Sequence, residues 1–109
     1  MNRKQAIREF KERKTPRGVF AIRCAATGET WVGSTPNLEA ARNSNWFALR
    51  NGLHRERALQ QAWNAHGEDS FRYDVLERLD DDVAALAVND LLKEKKARWA
   101  AESQARTLL

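Results

Sequence analysis

Two short apolar triplets with a turn between them constrain this chain more than any other feature of its sequence. Gly18-Val19-Phe20 and Trp31-Val32-Gly33 are separated by ten residues, and Ala26-Thr27-Gly28-Glu29 lies between them. The residues on either side of this turn-like segment are rich in Val, Ile, Phe and Trp, which favour extended backbone. The pattern therefore predicts a β-hairpin with strands over residues 18–24 and 30–34.

Two helices and a third strand are predicted after the hairpin. Asn37 is a good N-cap for a helix that Asn51-Gly52 ends, because a glycine can adopt the left-handed conformation of a helix C-terminus. Apolar residues at helical spacing predict a second helix over residues 55–65. Apolar and polar residues alternate over most of 71–79, which indicates a strand.

The two ends of the chain are also predicted to be helical. Residues 2–14 read as a basic amphipathic helix. Asp80-Asp81-Asp82 is predicted to cap a final helix that frays near Leu109, because carboxylates suit the positive end of a helix. The order of elements predicts an α+β fold, in which a three-stranded antiparallel or mixed sheet is flanked by helices, with an extra basic N-terminal helix.

The positive charge is concentrated at the N-terminal end. The formal net charge is +4 over 109 residues. Residues 1–23 hold eight Lys and Arg against two Asp and Glu, a net of +6, so the rest carries −2. Such an arm is typical of proteins that bind polyanions, although a solvated helix face that only keeps the protein soluble has the same composition. We expect a basic helix over 1–16 and a single domain over 17–109.

Composition also argues against several classes of protein. No apolar run approaches the roughly 18 residues of a membrane helix. The first 14 residues are too charged for a secretory signal, so the cytoplasm is the expected location. Cys24 is the single cysteine, and it can form neither an internal disulfide nor a structural zinc site of the usual kind. We expect it to be a buried strand thiol.

With these elements placed, the sequence resembles the GIY-YIG nuclease family over about residues 17–99. GVF and WVG are divergent forms of its two triplets, and the blocks GSTPNL, ALRNGLH and LQQAWNAHG follow in order. The resemblance implies a three-stranded sheet flanked by helices and hydrolysis of nucleic-acid phosphodiesters, with DNA expected rather than RNA. It also implies one divalent metal, Mg²⁺ or Mn²⁺, held by a glutamate.

The two triplets depart from the family at the residues that act on water. Tyrosines there help to position or activate the water, whereas this chain has Phe20 and Trp31, which carry no hydroxyl. Trp31 could hold a phosphate oxygen through its indole N–H, or stack on a base. Both side chains could equally serve only to pack the sheet.

Three polar residues match, or lie beside, positions that the resemblance assigns to phosphate binding and proton transfer. The family's helix arginine falls on Ala41, and Arg42 is the neighbouring candidate, about 100° around the helix. Asn45 stands where a histidine is often found and could hydrogen-bond a phosphate. His54 matches the family's loop histidine and could replace the missing base, although a cap or packing role would suit it as well.

The metal carboxylate is expected on the last helix, where the family has two apolar residues, an acid and then an aromatic residue. Leu91-Leu92-Lys93-Glu94 followed by Trp99 approximates this pattern, so Glu94 is the candidate ligand and Asp90, one turn earlier, the second choice. One carboxylate can suffice, because Mg²⁺ keeps most of its waters. A carboxylate among lysines on an exposed helix could also be merely solvated.

Three functions remain open at this point. The first is an active metal-dependent endonuclease with an altered site. The second is a binding module that has lost the chemistry and holds nucleic acid through the basic arm, Trp31 and four arginines, Arg42, Arg50, Arg55 and Arg57. The third is a protein-interaction domain whose aromatic residues are all core and whose arm docks an acidic partner.

Overall fold

A computed structural model describes residues 15–108, and the predicted helix over 2–14 lies outside them. The described chain forms a four-stranded sheet and three long helices. The strands are β1 (Gly18–Cys24), β2 (Thr30–Thr35), β3 (Phe71–Arg78) and β4 (Arg106–Thr107). The helices are α1 (Leu38–Arg50), α2 (Arg57–His66) and α3 (Ala85–Ser103). No helix of this part of the chain is long and apolar enough to cross a membrane.

The predicted hairpin and the third strand are confirmed. β1 and β2 pair antiparallel, with Phe20 opposite Gly33. Gly28 in the turn has a φ of +78°, which a glycine adopts without the steric cost of a Cβ. β3 pairs antiparallel with the other side of β1, so the strand order is β3-β1-β2-β4.

The sequence pattern does not predict the fourth strand. Arg106–Thr107 pairs parallel to Trp31 and Val32, and the N–H of Leu108 donates to the carbonyl of Val32 at 2.7 Å. The chain reverses after α3 at Gln104, whose φ is +52°. The expected fraying helix therefore ends earlier and returns to the sheet, which makes the sheet mixed.

The start of α1 is as predicted, and the start of α3 is not. The Asn37 side chain accepts a hydrogen bond from the N–H of Ala40 at 2.9 Å, as an N-cap should. α3 begins only at Ala85 and has no side-chain cap. Asp80–Asp82 lies too far before this start to cap it, and Asp81 instead pairs with an arginine of β3. The prediction that these carboxylates cap the last helix is therefore wrong.

Helices cover both faces of the sheet, because successive side chains of a strand point to opposite sides. Val19, Ala21 and Val32 pack with residues of α3 on one face. Phe20 and Ile22, with Trp31 and the buried Cys24, pack against α1 and α2 on the other face. The α+β architecture and the buried thiol are thus as predicted. The candidate site lies on the α1 and α2 face.

Candidate functional site

An open cleft of about 500 Å³ lies where β2, α1 and the loop between α1 and α2 meet. Residues 33–35 of β2 and 53–56 of the loop form two of its walls, and one side of α1 forms a third. Phe20 and Leu108 complete the lining. The cleft brings together four of the predicted site residues, Phe20, Asn45, His54 and Arg55.

Phe20 is held tightly at this cleft by its neighbours. A Cβ added to Gly33 would lie 2.5 Å from the ring of Phe20, so only glycine fits beneath the ring. The ring also stacks on Tyr73, with centroids 5.1 Å apart. Phe20 is 4% exposed. Its role is therefore to shape the cleft, since it has no group that accepts a proton.

Trp31 is not part of the cleft. Its side chain is completely buried in the core on the α1 and α2 face. Its indole N–H is buried and has no hydrogen-bond partner among the described residues. The expectation that Trp31 contacts phosphate or stacks on a base is therefore corrected, because its side chain lies in the core cluster that also contains residues of α1, α2 and Leu108.

Asn45 and His54 form a hydrogen-bonded pair whose protonation state follows from its surroundings. The amide nitrogen of Asn45 donates to the carbonyl of Ala41 at 2.7 Å, one helical turn earlier, so its oxygen faces His54. The Nε2 atom of His54 lies 2.6 Å from that oxygen and must carry a hydrogen. The backbone N–H of Glu56 points at Nδ1 of His54 at 3.0 Å, so Nδ1 must be the acceptor.

Both nitrogens of His54 are therefore engaged in its neutral form. Burial lowers the pKa of His54, and the nearby Glu56 carboxylate opposes this only in part. To take up a proton, the ring would have to break the hydrogen bond from the Glu56 N–H. This arrangement suits a residue that fixes the loop against α1 better than one that acts as a general base.

Gln60 of α2 forms hydrogen bonds that hold the loop between α1 and α2. The sequence pattern did not single it out. It is a buried polar residue, 8% exposed. Its oxygen accepts from the N–H of His54, and its nitrogen donates to the carbonyl of Leu49 and to the side chain of Asn64, each at 3.0 Å. The sequence signal that could have identified it is the position of a glutamine among the apolar residues of the buried side of α2.

Arg42 and Arg50 lie away from the cleft. Arg42 is exposed on α1 and does not line the cleft, whereas Ala41 does. Burial raises the pKa of Tyr73 to about 12, and the positive charge of Arg42 opposes this, so Arg42 lies on the Tyr73 side of the helix. Arg50 forms a two-point ion pair with Glu68 at 2.7 and 2.8 Å.

Arg55 and Arg57 keep their charges free of carboxylates. Arg55 lines the cleft, and Arg57 begins α2 two residues later. Both are exposed, and neither forms an ion pair with a residue of the described chain. Glu56 also lines the cleft, and it carries the one carboxylate among the described residues of the lining.

Glu94 does not reach the cleft in this structure. It is exposed on α3 and pairs with Arg98 at 3.3 Å. Lys96, also on α3, donates from its ammonium to the carbonyl of Leu108, a residue of the cleft lining, at 2.9 Å. Within residues 15–108, no group of three or more His, Cys, Asp or Glu could hold a metal ion. Among the described residues that line the cleft, Glu56 carries the one carboxylate that could hold the implied Mg²⁺ or Mn²⁺.

Comparison with known proteins bears on the fold. No family model and no curated protein sequence matches the chain. Two solved structures of the catalytic domain of the intron homing endonuclease I-TevI do match, one of them a glutamate-to-alanine variant. Each is 24% identical to this chain. The variant has a TM-score of 0.70 over 83% of this chain and 86% of its own, and the other 0.71 over 85% and 98%.

These likenesses show that the chain has a GIY-YIG-like nuclease fold, as the resemblance in the sequence predicted. They cover most of one endonuclease catalytic-domain structure and nearly all of the other. The identity is low, so they establish the fold and leave the chemistry to be argued from the residues in the cleft.

Proposed function

Starting from this nuclease fold, we propose that the chain binds nucleic acid, with DNA preferred over RNA. The cleft would hold a phosphodiester without hydrolysing it. The proposal rests on the contrast between His54, whose ring nitrogens are both hydrogen-bonded, and the neighbouring Arg55, whose guanidinium forms no ion pair with a residue of the described chain. A free guanidinium is available to a phosphate, while the histidine that lines the cleft is neutral and has both nitrogens occupied.

The cleft offers suitable groups for a phosphate. The Arg55 guanidinium can form two parallel hydrogen bonds to phosphate oxygens, and Arg57 lies close to it in the chain. Ser44 of α1 lines the cleft, and its hydroxyl can donate to the same oxygens. Arg42 and Arg50 are proposed to contact phosphates of the nucleic-acid backbone outside the cleft. Arg50 could do so only if its ion pair with Glu68 were broken.

The basic arm is proposed to supply most of the long-range attraction. Residues 1–14 hold six Lys and Arg against two Asp and Glu, which leaves thirteen of each in residues 15–109. The domain is thus formally neutral, and the net charge of +4 belongs to the arm. An arm of this kind favours association with any polyanion, and the cleft would give the bound strand its position.

Metal-dependent hydrolysis is the second candidate function. It is supported by the likeness of the fold to an endonuclease catalytic domain and by the Glu56 carboxylate in the cleft. The missing tyrosine hydroxyls and the position of Glu94 on the exposed side of α3 make it the weaker candidate. If hydrolysis occurs, the competing metal ligands to test are Glu56 and Glu94.

One experiment separates these functions. The full chain would be mixed with labelled single-stranded DNA, duplex DNA and RNA, in Mg²⁺, in Mn²⁺ and in EDTA, and both binding and cleavage would be recorded. We expect salt-dependent binding without cleavage, and weaker binding when Arg55 and Arg57 are changed to Gln. Arg72→Gln is the matched control, because Arg72 is exposed on β3 at the opposite edge of the sheet.

Three results would change the proposal. Binding that is equal in the wild-type chain and the Arg55→Gln, Arg57→Gln variant would show that the cleft is not the binding site. Metal-dependent cleavage that Glu56→Gln or Glu94→Gln abolishes would establish the second candidate instead. Absence of binding at low salt would favour an interaction domain with an acidic protein partner.

A further inference from the structure

We propose that the mouth of the cleft carries an apolar wedge, formed by Phe47 and Leu53, on which an unpaired nucleobase stacks. The chain would then select single-stranded or locally unpaired nucleic acid over intact duplex. This inference rests on the proposed function, since it names the form of nucleic acid that the cleft accepts.

The wedge is unusual in its exposure. Phe47 is 67% exposed and Leu53 is 72% exposed. Only two other large apolar residues of the described chain are exposed to a comparable degree, Val75 on β3 and Leu86 on α3. Phe47 and Leu53, in contrast, lie within seven residues of each other at the end of α1 and in the following loop.

One of the two side chains lines the cleft, and the other lies next to lining residues on α1. Leu53 is part of the cleft lining. Phe47 follows Ser44 by three positions and directly precedes Ala48, and both of these residues line the cleft. Residues three apart on a helix are neighbours on its surface, so Phe47 flanks the same wall.

The backbone presents these side chains rigidly. The N–H of Leu53 donates to the carbonyl of Ala48 at 2.8 Å, and the next N–H, that of His54, donates to Gln60 at 3.0 Å. The carbonyl of Phe47 accepts from the side chain of Asn51 at 2.7 Å. An exposed apolar side chain on a fixed backbone loses little entropy when it binds a ligand, which favours binding.

The neighbouring charges identify the partner. Arg55 follows Leu53 by two residues, and Arg57 by four, and neither is paired with a carboxylate of the described chain. Apolar surface beside free guanidinium groups is complementary to a base beside its phosphates. In an intact duplex both faces of each base are covered by stacking, and exposing one requires the base to be unstacked and unpaired. An unpaired base avoids that step.

The test compares three ligands with the full chain: a short labelled single-stranded DNA, the matching duplex, and that duplex with one bulged nucleotide. Phe47→Ala and Leu53→Ala are the test variants. Leu86→Ala is the matched control, since Leu86 is 96% exposed on α3 and lies outside the cleft lining. Fluorescence of a 2-aminopurine base in the single strand reports stacking directly.

We expect Phe47→Ala to weaken binding of the single strand and the bulged duplex by about 5- to 150-fold, the range for losing one stacked base, and to leave the intact duplex unaffected. The change in 2-aminopurine fluorescence on binding should also disappear. Leu53→Ala should act in the same direction, and Leu86→Ala should bind all three ligands as the wild-type chain does.

The failures are distinguishable. Binding of duplex and single strand with equal affinity, unchanged by Phe47→Ala and Leu53→Ala, would refute the wedge and leave the proposed function standing. An equal reduction in affinity for all three ligands would also refute the wedge, because it would show a general contribution to binding rather than recognition of an unpaired base. Absence of binding to all three by the wild-type chain would refute both proposals.

Discussion

Replacing Gln60 with Met is expected to destabilise the domain, because Gln60 connects α1, α2 and the loop that carries Leu53. Its amide makes three hydrogen bonds, to the N–H of His54, the carbonyl of Leu49 and the side chain of Asn64. Methionine has nearly the same volume, so the change removes the hydrogen bonds without opening a cavity.

The three bonds contribute unequally. The His54 N–H is partly buried and would be left without a partner, which costs about 1–2 kcal/mol. The Leu49 carbonyl still accepts from the N–H of Gly52 at 3.2 Å, so removing the Gln60 bond there costs about 0.5–1 kcal/mol. The Asn64 side chain is exposed and returns to water at little cost. The free energy of unfolding should therefore fall by about 2 kcal/mol.

The assay is thermal and urea unfolding of the full chain, followed by circular dichroism. For a domain of this size the expected destabilisation corresponds to a decrease in Tm of about 8–16 °C. Gln61→Met is the matched control, because Gln61 is the next residue of α2 and is exposed. It should change the free energy of unfolding by less than about 0.5 kcal/mol.

Gln60→Glu is expected to be less stable than Gln60→Met at neutral pH. A glutamate can still accept from the His54 N–H, but its second oxygen would face the Leu49 carbonyl in place of the donating amide nitrogen, and its charge would be buried. If Gln60→Met proves as stable as Gln61→Met, the amide does not hold the loop and the reasoning is refuted. The fixed presentation of Leu53 would then need another explanation.

Three further predictions concern the floor of the cleft, the histidine and the arm. Gly33→Ala should lower the free energy of unfolding measured in urea by about 1–3 kcal/mol, because the new Cβ would meet the Phe20 ring. Adding Phe20→Leu to this variant should recover part of the loss. Equal stability of Gly33→Ala and the wild-type chain would contradict the close packing. His54 has a pKa lowered from 6.5, so its contribution to stability is complete above pH 6.5 and is lost as the pH falls through the lower folded value, since the unfolded chain takes up the proton first. This part of the dependence of Tm on pH should be absent in His54→Gln, and its persistence there would assign it to another group. Changing all six Lys and Arg of residues 1–14 to Gln should reduce the slope of log Kd against log salt. The expected reduction for each phosphate that the arm neutralises is about 0.9 with duplex DNA and about 0.7 with a single strand, whereas an unchanged slope would place the arm away from the nucleic acid.

Part of the candidate site could be predicted from the sequence. The residues that were predicted wrongly show what limits such a prediction. The resemblance placed Phe20, Asn45 and His54 at one site, and the structure brings them together in the cleft. It also suggested Arg42 and Trp31, which lie elsewhere. A shift of one residue on a helix turns a side chain by about 100°, and a pattern of residue types does not reveal which neighbour faces the cleft.

The elements of the fold were determined by local patterns. The hairpin, the third strand and the N-cap at Asn37 follow from alternation, turn residues and capping chemistry, each of which acts over a few residues of sequence. For the same reason the α+β class was predictable. β4 was not, because two residues that pair in parallel with β2 carry no local signal, and their strand exists only through that long-range pairing.

The chemical state of the cleft was decided by the tertiary structure alone. Nothing in the sequence around His54 reveals that Asn45 and the Glu56 N–H occupy both of its nitrogens. Whether Trp31 stacks on a base or is buried depends on what packs over β2. Hydrogen bonding and burial are relations between residues far apart in the chain, so the sequence determined which groups are present, and only the folded arrangement decided which of them are free to act.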